Sequence, residues 1–340
     1  MAEGTERIDT TRLQRLARSY AETAVFYSAI DLELFTHVSA GAGSIAELAA
    51  AMGVSELNAE RLVVVCLAQG LLERDGDGRI VNAPDCEKFM VKGTDRYAGA
   101  WMTFTRHEVP DWFDLTARLR SEETPTELGM YADLTVERAR KYHRATASIG
   151  MGAGRRFCRT VDLTGRRRML DLGGGSGAYS INAVRTFEGL EAIVLDLEPV
   201  TVVTQEYLEE HGVTDRVSTH AADFVNDPLP AGCDVAVMAS NLPIYSAANI
   251  AKVVAKTFDV LEPGGEMHLI GETLHADGIG PIDAALWGMA EVNYGDTGSG
   301  GRAHSVTECI GYFEAAGFVD VENTDFVANT LTRTTGRKPA

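Results

Sequence analysis

The sequence predicts an α/β fold, in which a mostly parallel sheet carries helices on both faces and a smaller, mainly helical domain precedes it. Three observations carry this expectation. From Arg168 onward short apolar strands alternate with helical stretches; a glycine-rich turn follows the first of those strands; and residues 44–81 run helix, turn, helix and hairpin ahead of them. Alternation of strand and helix builds βαβ units, whose parallel strands are covered on both faces.

Residues 10–38 carry apolar positions at helical spacing, among them Leu13, Leu16, Ala17, Tyr20, Ala24 and Val25. Ser44 stands three residues before Glu47, the spacing of a capping box, so a short helix starts there and Gly53 ends it. A second helix follows over about 56–70, and Leu71–Val81 reads as a hairpin around a tight Asp-Gly turn. This winged-helix pattern serves DNA binding when the second helix presents basic residues to a groove. Here that helix offers only Arg61, so a packing or dimerisation module is expected instead. Residues 97–160 read as helical, and strands are expected at 169–172, 192–197, 217–223, 234–240 and 266–272. The expected divisions are 1–100 (winged-helix-like), 101–160 (helical connector) and 161–340 (catalytic).

Composition narrows the function. The formal net charge of −18 repels phosphate backbones and anionic lipids, so neither nucleic acid nor membrane is expected as a partner. No apolar run approaches the roughly 20 residues of a membrane-spanning helix, and the first 20 residues lack a secretory apolar region. The five cysteines are scattered without a CxxC pair, which argues against a disulfide framework and a zinc cluster, and for a reducing cytoplasm.

The chemistry is concentrated in Met169–Gly177 (MLDLGGGSG), a strand running into a glycine turn. Glycines let the backbone turn sharply and pass within contact distance of a ligand. No Gly-Lys-Ser/Thr follows, which excludes a P-loop. Asp171 lies inside the strand, where it would repel a dinucleotide pyrophosphate but suits a ligand bearing a sulfonium and an ammonium. Asp196 ends the second strand and can accept hydrogen bonds from ribose hydroxyls; Asp223 and Phe224 end the third, an acid for an adenine amino group and a ring to cover its face.

These segments, with His211–Val217 (HGVTDRV) and Leu261–Gly265 (LEPGG), resemble the class I S-adenosylmethionine (SAM)-dependent methyltransferases of the two-domain O-methyltransferase family, along the whole chain. The resemblance implies a Rossmann-like methyltransferase domain with a mostly parallel seven-stranded sheet and an N-terminal winged-helix dimerisation domain. It implies SAM as cofactor, a homodimer with swapped N-terminal helices, and a small-molecule acceptor. The cofactor contacts carried over are Asp171, Gly173, Gly175, Asp196, Leu197, Asp223, Phe224, Ser240 and Asn241. Tyr142, Met151, Trp287, Asn293 and Tyr294 fall where relatives line the acceptor pocket. No metal site is expected.

One departure matters. Relatives that methylate phenols carry a general-base histidine after the fourth strand, and Pro243 falls at that position; a later family acid falls at Ala303, while the acid that would orient the histidine remains as Glu272. Proline accepts no proton. The expectation is therefore C-methylation of an electron-rich ring or enol, which needs mainly positioning, with Tyr245 available to bond an acceptor hydroxyl. Here the chain is similar to the bacteriochlorophyllide carbon-methylating branch, which has a Tyr-Ser-Ala stretch where relatives carry histidine. The alternative is O- or N-methylation with another base, for which His304, His143 and Glu291 are candidates; a third reading is a SAM-binding enzyme that transfers no methyl. Two rival classes remain testable, a winged-helix regulator and a nicotinamide oxidoreductase.

Overall fold

Hydrophobic burial sorts the chain into two compact units, Met1–Arg106 and His107–Ala340, in a computed structural model. It describes residues 8–120, 134–294 and 300–340, Tyr294 by its backbone alone. Apart from 101–106, the segment expected as a connector falls in the second unit.

The first unit runs α1 (Thr11–Leu16), α2 (Ser19–Asp31), α3 (Leu34–Ser39), α4 (Ile45–Met52), α5 (Glu56–Ala68), β1 (Leu72–Arg74), β2 (Ile80–Asn82), α6 (Pro84–Phe89) and α7 (Gly99–Met102). The capping box forms: Ser44 Oγ accepts from the Glu47 amide, and the Glu47 carboxylate accepts from the Ser44 amide at 2.9 Å. β1 and β2 pair antiparallel, with Asp75 Oδ1 accepting the amides of Asp77 and Arg79 to close the turn. Leu34, Phe35, Leu48, Val63, Cys66, Leu72 and Ile80 form the core.

The second unit opens with α8 (Val109–Phe113), α9 (Leu115–Arg120) and the long α10 (Val136–Thr160). It continues β3 (Arg168–Leu172), α11 (Ala178–Thr186), β4 (Glu191–Asp196), α12 (Glu198–Glu210), β5 (Val217–Ala221), β6 (Cys233–Ala239), α13 (Ala247–Val260) and β7 (Leu261–Gly271). Then come β8 (Thr273–Leu274), α14 (Ile282–Tyr294), β9 (His304–Ser305), α15 (Val306–Ala316), β10 (Val319–Val327) and β11 (Leu331–Arg337). The seven-stranded sheet has the order β10-β11-β7-β6-β3-β4-β5. Its five earlier strands pair parallel, and β11 pairs antiparallel with both β7 and β10.

Alternate residues of the central strands bury on opposite faces. Leu170, Leu172, Ala236 and Met238 join α13 and α15, whereas Met169, Val235 and Val237 join α10 and α11. That double burial explains why these strands read as unbroken apolar runs. β10 and β11 went unseen in the sequence because β10 is an edge strand, largely exposed, with Val321 alone apolar over Asp320–Asp325, and β11 (Leu331–Arg337) has Leu331 as its one apolar side chain. Among the described residues no helix is long and apolar enough to cross a membrane, and no group of three His, Cys, Asp or Glu could hold a metal ion.

Candidate active site

β3 delivers the chain at the carboxyl edge of the sheet, and the backbone there takes conformations that side chains resist. Gly173, Gly175 and Gly177 all have positive φ (62°, 55° and 73°). The Gly173 amide donates to Leu195 O at 2.8 Å, and Thr204 Oγ1 donates to Gly175 O at 2.6 Å, so the turn is pinned from β4 and α12. A Cβ on Gly173 would lie 2.6 Å from Asn241 Nδ2 and 3.0 Å from Phe224, and one on Gly175 2.7 Å from the His143 ring. The turn is therefore packed by three side chains from three other segments, and only glycine fits beneath them. Asn241 Nδ2 donates to Ala239 O at 3.0 Å; Ser240 adopts a left-handed φ of 59°, its amide donating to Ile270 O.

Two carboxylates flank this cradle. Asp171 is 1% exposed, accepts from Ser180 Oγ at 2.7 Å, and burial pushes its pKa up to about 6, with Asp196 adding to the rise. Asp196 accepts the amides of Gly175 (2.9 Å) and Leu197 (2.8 Å), and burial pushes it to about 6 as well. Among the described residues neither is paired with a cation. Uncompensated buried acids are costly, and a ligand bringing positive charge and hydroxyls offsets that cost. SAM, with a cationic amino-acid end and ribose hydroxyls, is a ligand whose groups such a pair of acids would suit.

Asp223 and Phe224 follow β5. The Asp223 carboxylate accepts from the Val225 amide and Asn226 Nδ2, both at 2.8 Å, so it shapes its own loop. Phe224 is buried and meets the Tyr245 ring edge to face, centroids 5.3 Å apart. Lys256, from α13, donates to the carbonyls of Phe224 (2.7 Å), Val225 (3.1 Å) and Asp227 (2.6 Å). Sequence reading missed it, since nothing local marks a lysine that binds a loop some 30 residues earlier. Lys256→Met is expected to weaken S-adenosylhomocysteine binding about tenfold in titration calorimetry, the loss of one charged donor; unchanged affinity would show that the loop holds Phe224 without it.

Pro243 sits in a single 3-10 turn, Leu242–Ile244, and is buried. His304, in β9, is fully buried: Nε2 lies 2.8 Å from Tyr245 O, and Nδ1 lies 2.9 Å from Tyr312 Oη. A carbonyl only accepts, so Nε2 carries the proton and Nδ1 accepts from the tyrosine. Burial holds this imidazole below its usual pKa. To serve as a base it would first have to give up one of these bonds. His143 is also buried, its pKa lowered by burial to about 4. Glu272 is half-buried, and burial raises its carboxyl.

The residues expected in the acceptor pocket separate. Burial pushes the Tyr142 hydroxyl up to about 12, with the Asp196, Glu272 and Glu108 carboxylates adding to the rise. Met151 instead packs on the core face of α10, its sulfur 3.6 Å from Asn182 Nδ2. Trp287, half-buried, and Asn293, 9% exposed, lie on α14, which packs against the Leu242–Ile244 turn. The side chain of Tyr294 lies outside the described residues.

This edge of the sheet thus carries a glycine cradle, two acids that no cation pairs among the described residues, and a loop bearing the buried Phe224 ring. Residues 129–319 match the O-methyltransferase domain family, and residues 14–92 the O-methyltransferase dimerisation domain. The chain belongs to that family and is a SAM-dependent methyltransferase. It is 32% identical over 324 residues to a 3-hydroxy-5-methyl-1-naphthoate 3-O-methyltransferase of Streptomyces sahachiroi, covering 94% of this chain and 92% of the relative. It is 28% identical to the tetracenomycin polyketide synthesis 8-O-methyl transferase of Streptomyces glaucescens, covering 96% of each. Human N-acetylserotonin methyltransferase, solved with SAM, shares the fold at a TM-score of 0.80 and 20% identity over the full length of both chains.

Proposed function

We propose that this enzyme methylates a small aromatic or conjugated metabolite of antibiotic-type secondary metabolism, and that the acceptor supplies its own nucleophile. Pro243 carries the reading. The turn that bears a histidine in the resemblance has no proton acceptor here, and His304 has both ring nitrogens engaged. SAM supplies the activated methyl group; the protein's part is to bind, orient and exclude water. Asp171, Gly173, Gly175, Asp196, Leu197, Asp223, Phe224, Ser240 and Asn241 are the proposed cofactor contacts. Tyr142, Trp287 and Asn293 would face the acceptor, with Tyr245 and Glu272 orienting its polar groups.

Three acceptor atoms meet the requirement. One is a carbon of an electron-rich ring, as the missing base suggests. Another is the lone pair of an unprotonated amine nitrogen. The third is an oxygen already ionised through conjugation, and the two Streptomyces relatives, both O-methyltransferases by name, favour it. Product NMR after incubation with labelled cofactor and a panel of phenols and polyketide-like aromatics decides the atom. With oxygen acceptors, log kcat/KM is expected to rise with unit slope up to each acceptor's own pKa. A plateau fixed at one enzyme pKa across the panel, abolished in a His304, His143 or Glu291 variant, would sink the reading.

The dimerisation-domain match supports a homodimer, and α1 leaves Leu13 (53%) and Leu16 (64%) exposed as an apolar face for it. Sedimentation analysis of Leu13→Asp with Leu16→Asp is expected to show monomer where the parent shows dimer.

A further inference from the structure

We propose that the outer face of α10 is a docking surface for an acidic α-helix of a partner protein. Ten of the chain's 31 lysines and arginines fall at 136–168, opposed there only by Glu137 and Asp162, in a chain whose formal net charge is −18. Within α10, Lys141, Arg144, Ser148, Gly152, Arg155 and Arg159 recur at intervals of three or four residues and so share one stripe. The opposite face holds Ala139, His143, Gly154 and Phe157, all buried. The four cations of the stripe are exposed, and among the described residues none of them is in an ion pair. Two acids, Glu206 and Glu210, line the cleft beside Arg144, and Arg140 already holds the first through both carboxylate oxygens, at 2.9 and 2.5 Å.

The free chain gains little from this arrangement. Like charges three or four residues apart on a helix repel, and the helix dipole compensates only Arg159, in the last turn. Gly152 adds a further cost, since glycine weakens a helix interior. Packing accounts for the two glycines around it: a Cβ at Gly150 would lie 3.2 Å from Ala178 Cβ, and one at Gly154 2.5 Å from Ala178 O. A Cβ at Gly152 meets only the far end of Arg155, at 3.9 Å. A second helix laid across this point would need the bare backbone, because the distance between helix axes is set by the side chains at the contact. Cations flank the glycine on both sides, and Arg144 to Arg155 spans about 16 Å of helix axis, roughly three turns. A partner helix with acids toward both ends and small residues between them meets the cations and the glycine together. A long polyanion does not, as it would run past the stripe onto a chain of strongly negative charge.

The test titrates the full-length protein, by fluorescence anisotropy at low salt, into a labelled alanine-rich helical peptide of about 20 residues with two glutamates toward each end. One control peptide has glutamine for every glutamate; another gathers all the glutamates in the middle. Wild type is expected to bind the end-charged peptide at least about tenfold tighter than either control, and less tightly as salt screens the pairs. Arg155→Glu with Arg159→Glu is expected to abolish that preference, and Lys141→Gln with Arg144→Gln to weaken it from the other end, with S-adenosylhomocysteine binding unchanged in both. Gly152→Gln is expected to weaken peptide binding about fivefold by overlap at the contact, while its melting temperature stays level or rises. Equal binding of the three peptides, weak or absent binding included, overturns the proposal, as does a preference that survives the charge reversal. Tighter binding of duplex DNA or of phosphatidylserine vesicles would assign the stripe to a polyanion. A smaller assembly in sedimentation of the charge-reversed protein would assign it to a second copy of this chain. Either result refutes an acidic partner helix.

Discussion

Asp171→Asn is expected to raise the melting temperature of the cofactor-free protein and to cost it most of its affinity for the cofactor. The carboxyl is 1% exposed and burial holds its pKa at about 6, against an ordinary 3.8. A folded-state pKa raised in this way means the fold prefers the neutral acid. Stability is fully present below the unfolded value near 3.8 and is lost as pH rises through about 6. At neutral pH the penalty is on the order of 3 kcal/mol, and asparagine, which can still accept from Ser180 Oγ, removes much of it. With roughly 2–4 °C per kcal/mol for a unit of this size, differential scanning calorimetry should show a rise of about 5 °C at pH 7.5, shrinking toward pH 4. Cofactor affinity should fall roughly 50-fold at pH 7.5, the loss of a buried charged acceptor. In wild type, affinity should weaken as pH falls below about 6, where Asp171 and Asp196 take up protons. A variant of unchanged stability and affinity would show that this carboxylate does not oppose the fold.

Gly154→Ala should destabilise the second unit sharply although alanine is the better helix former. A Cβ at Gly154 would stand 2.5 Å from the Ala178 carbonyl oxygen and 2.8 Å from Asn182 Nδ2. Ala178 is the first residue of α11, directly after the glycine turn, so relief requires moving the backbone that leads out of the cradle. The overpacking cost, about 2–3 kcal/mol, exceeds the roughly 1 kcal/mol gained in helix propensity. Gly152, two residues earlier on the same helix, is the control. A Cβ there meets only the flexible end of Arg155, at 3.9 Å, so Gly152→Ala should be neutral or stabilising by up to about 1 kcal/mol. Equal melting temperatures for the two variants would refute the close α10–α11 contact.

How legible all this was depends on whether a feature is local. The capping box at Ser44, the hairpin near Asp75 and the five parallel strands are written in short-range pattern, and the structure holds them where the pattern puts them. The β10–β11 hairpin is not, because an exposed edge strand needs no apolar alternation. At the site, Asp171, Asp196 and the glycines stand out by residue type alone. What surrounds them does not. His143 covers Gly175 from 32 positions away, Ser180 engages Asp171 from the next helix, and Tyr312 reaches back to His304; each meeting is made by helix packing. Asn293 is marked in the sequence only through the family resemblance; that its amide is buried without a partner appears only in the fold.

The pair of acids on the cradle also sets a direction for turnover. SAM carries an ammonium, a sulfonium and a carboxylate, and so one net positive charge; when the methyl leaves, the sulfonium becomes a neutral thioether and that charge is gone. On the cofactor contacts proposed above, Asp171 and Asp196 meet the ammonium and the ribose, which the spent ligand keeps, so only the longer-range attraction between these acids and the sulfonium is lost. Methyl transfer would on that reading weaken, without abolishing, the hold of the acids on the by-product.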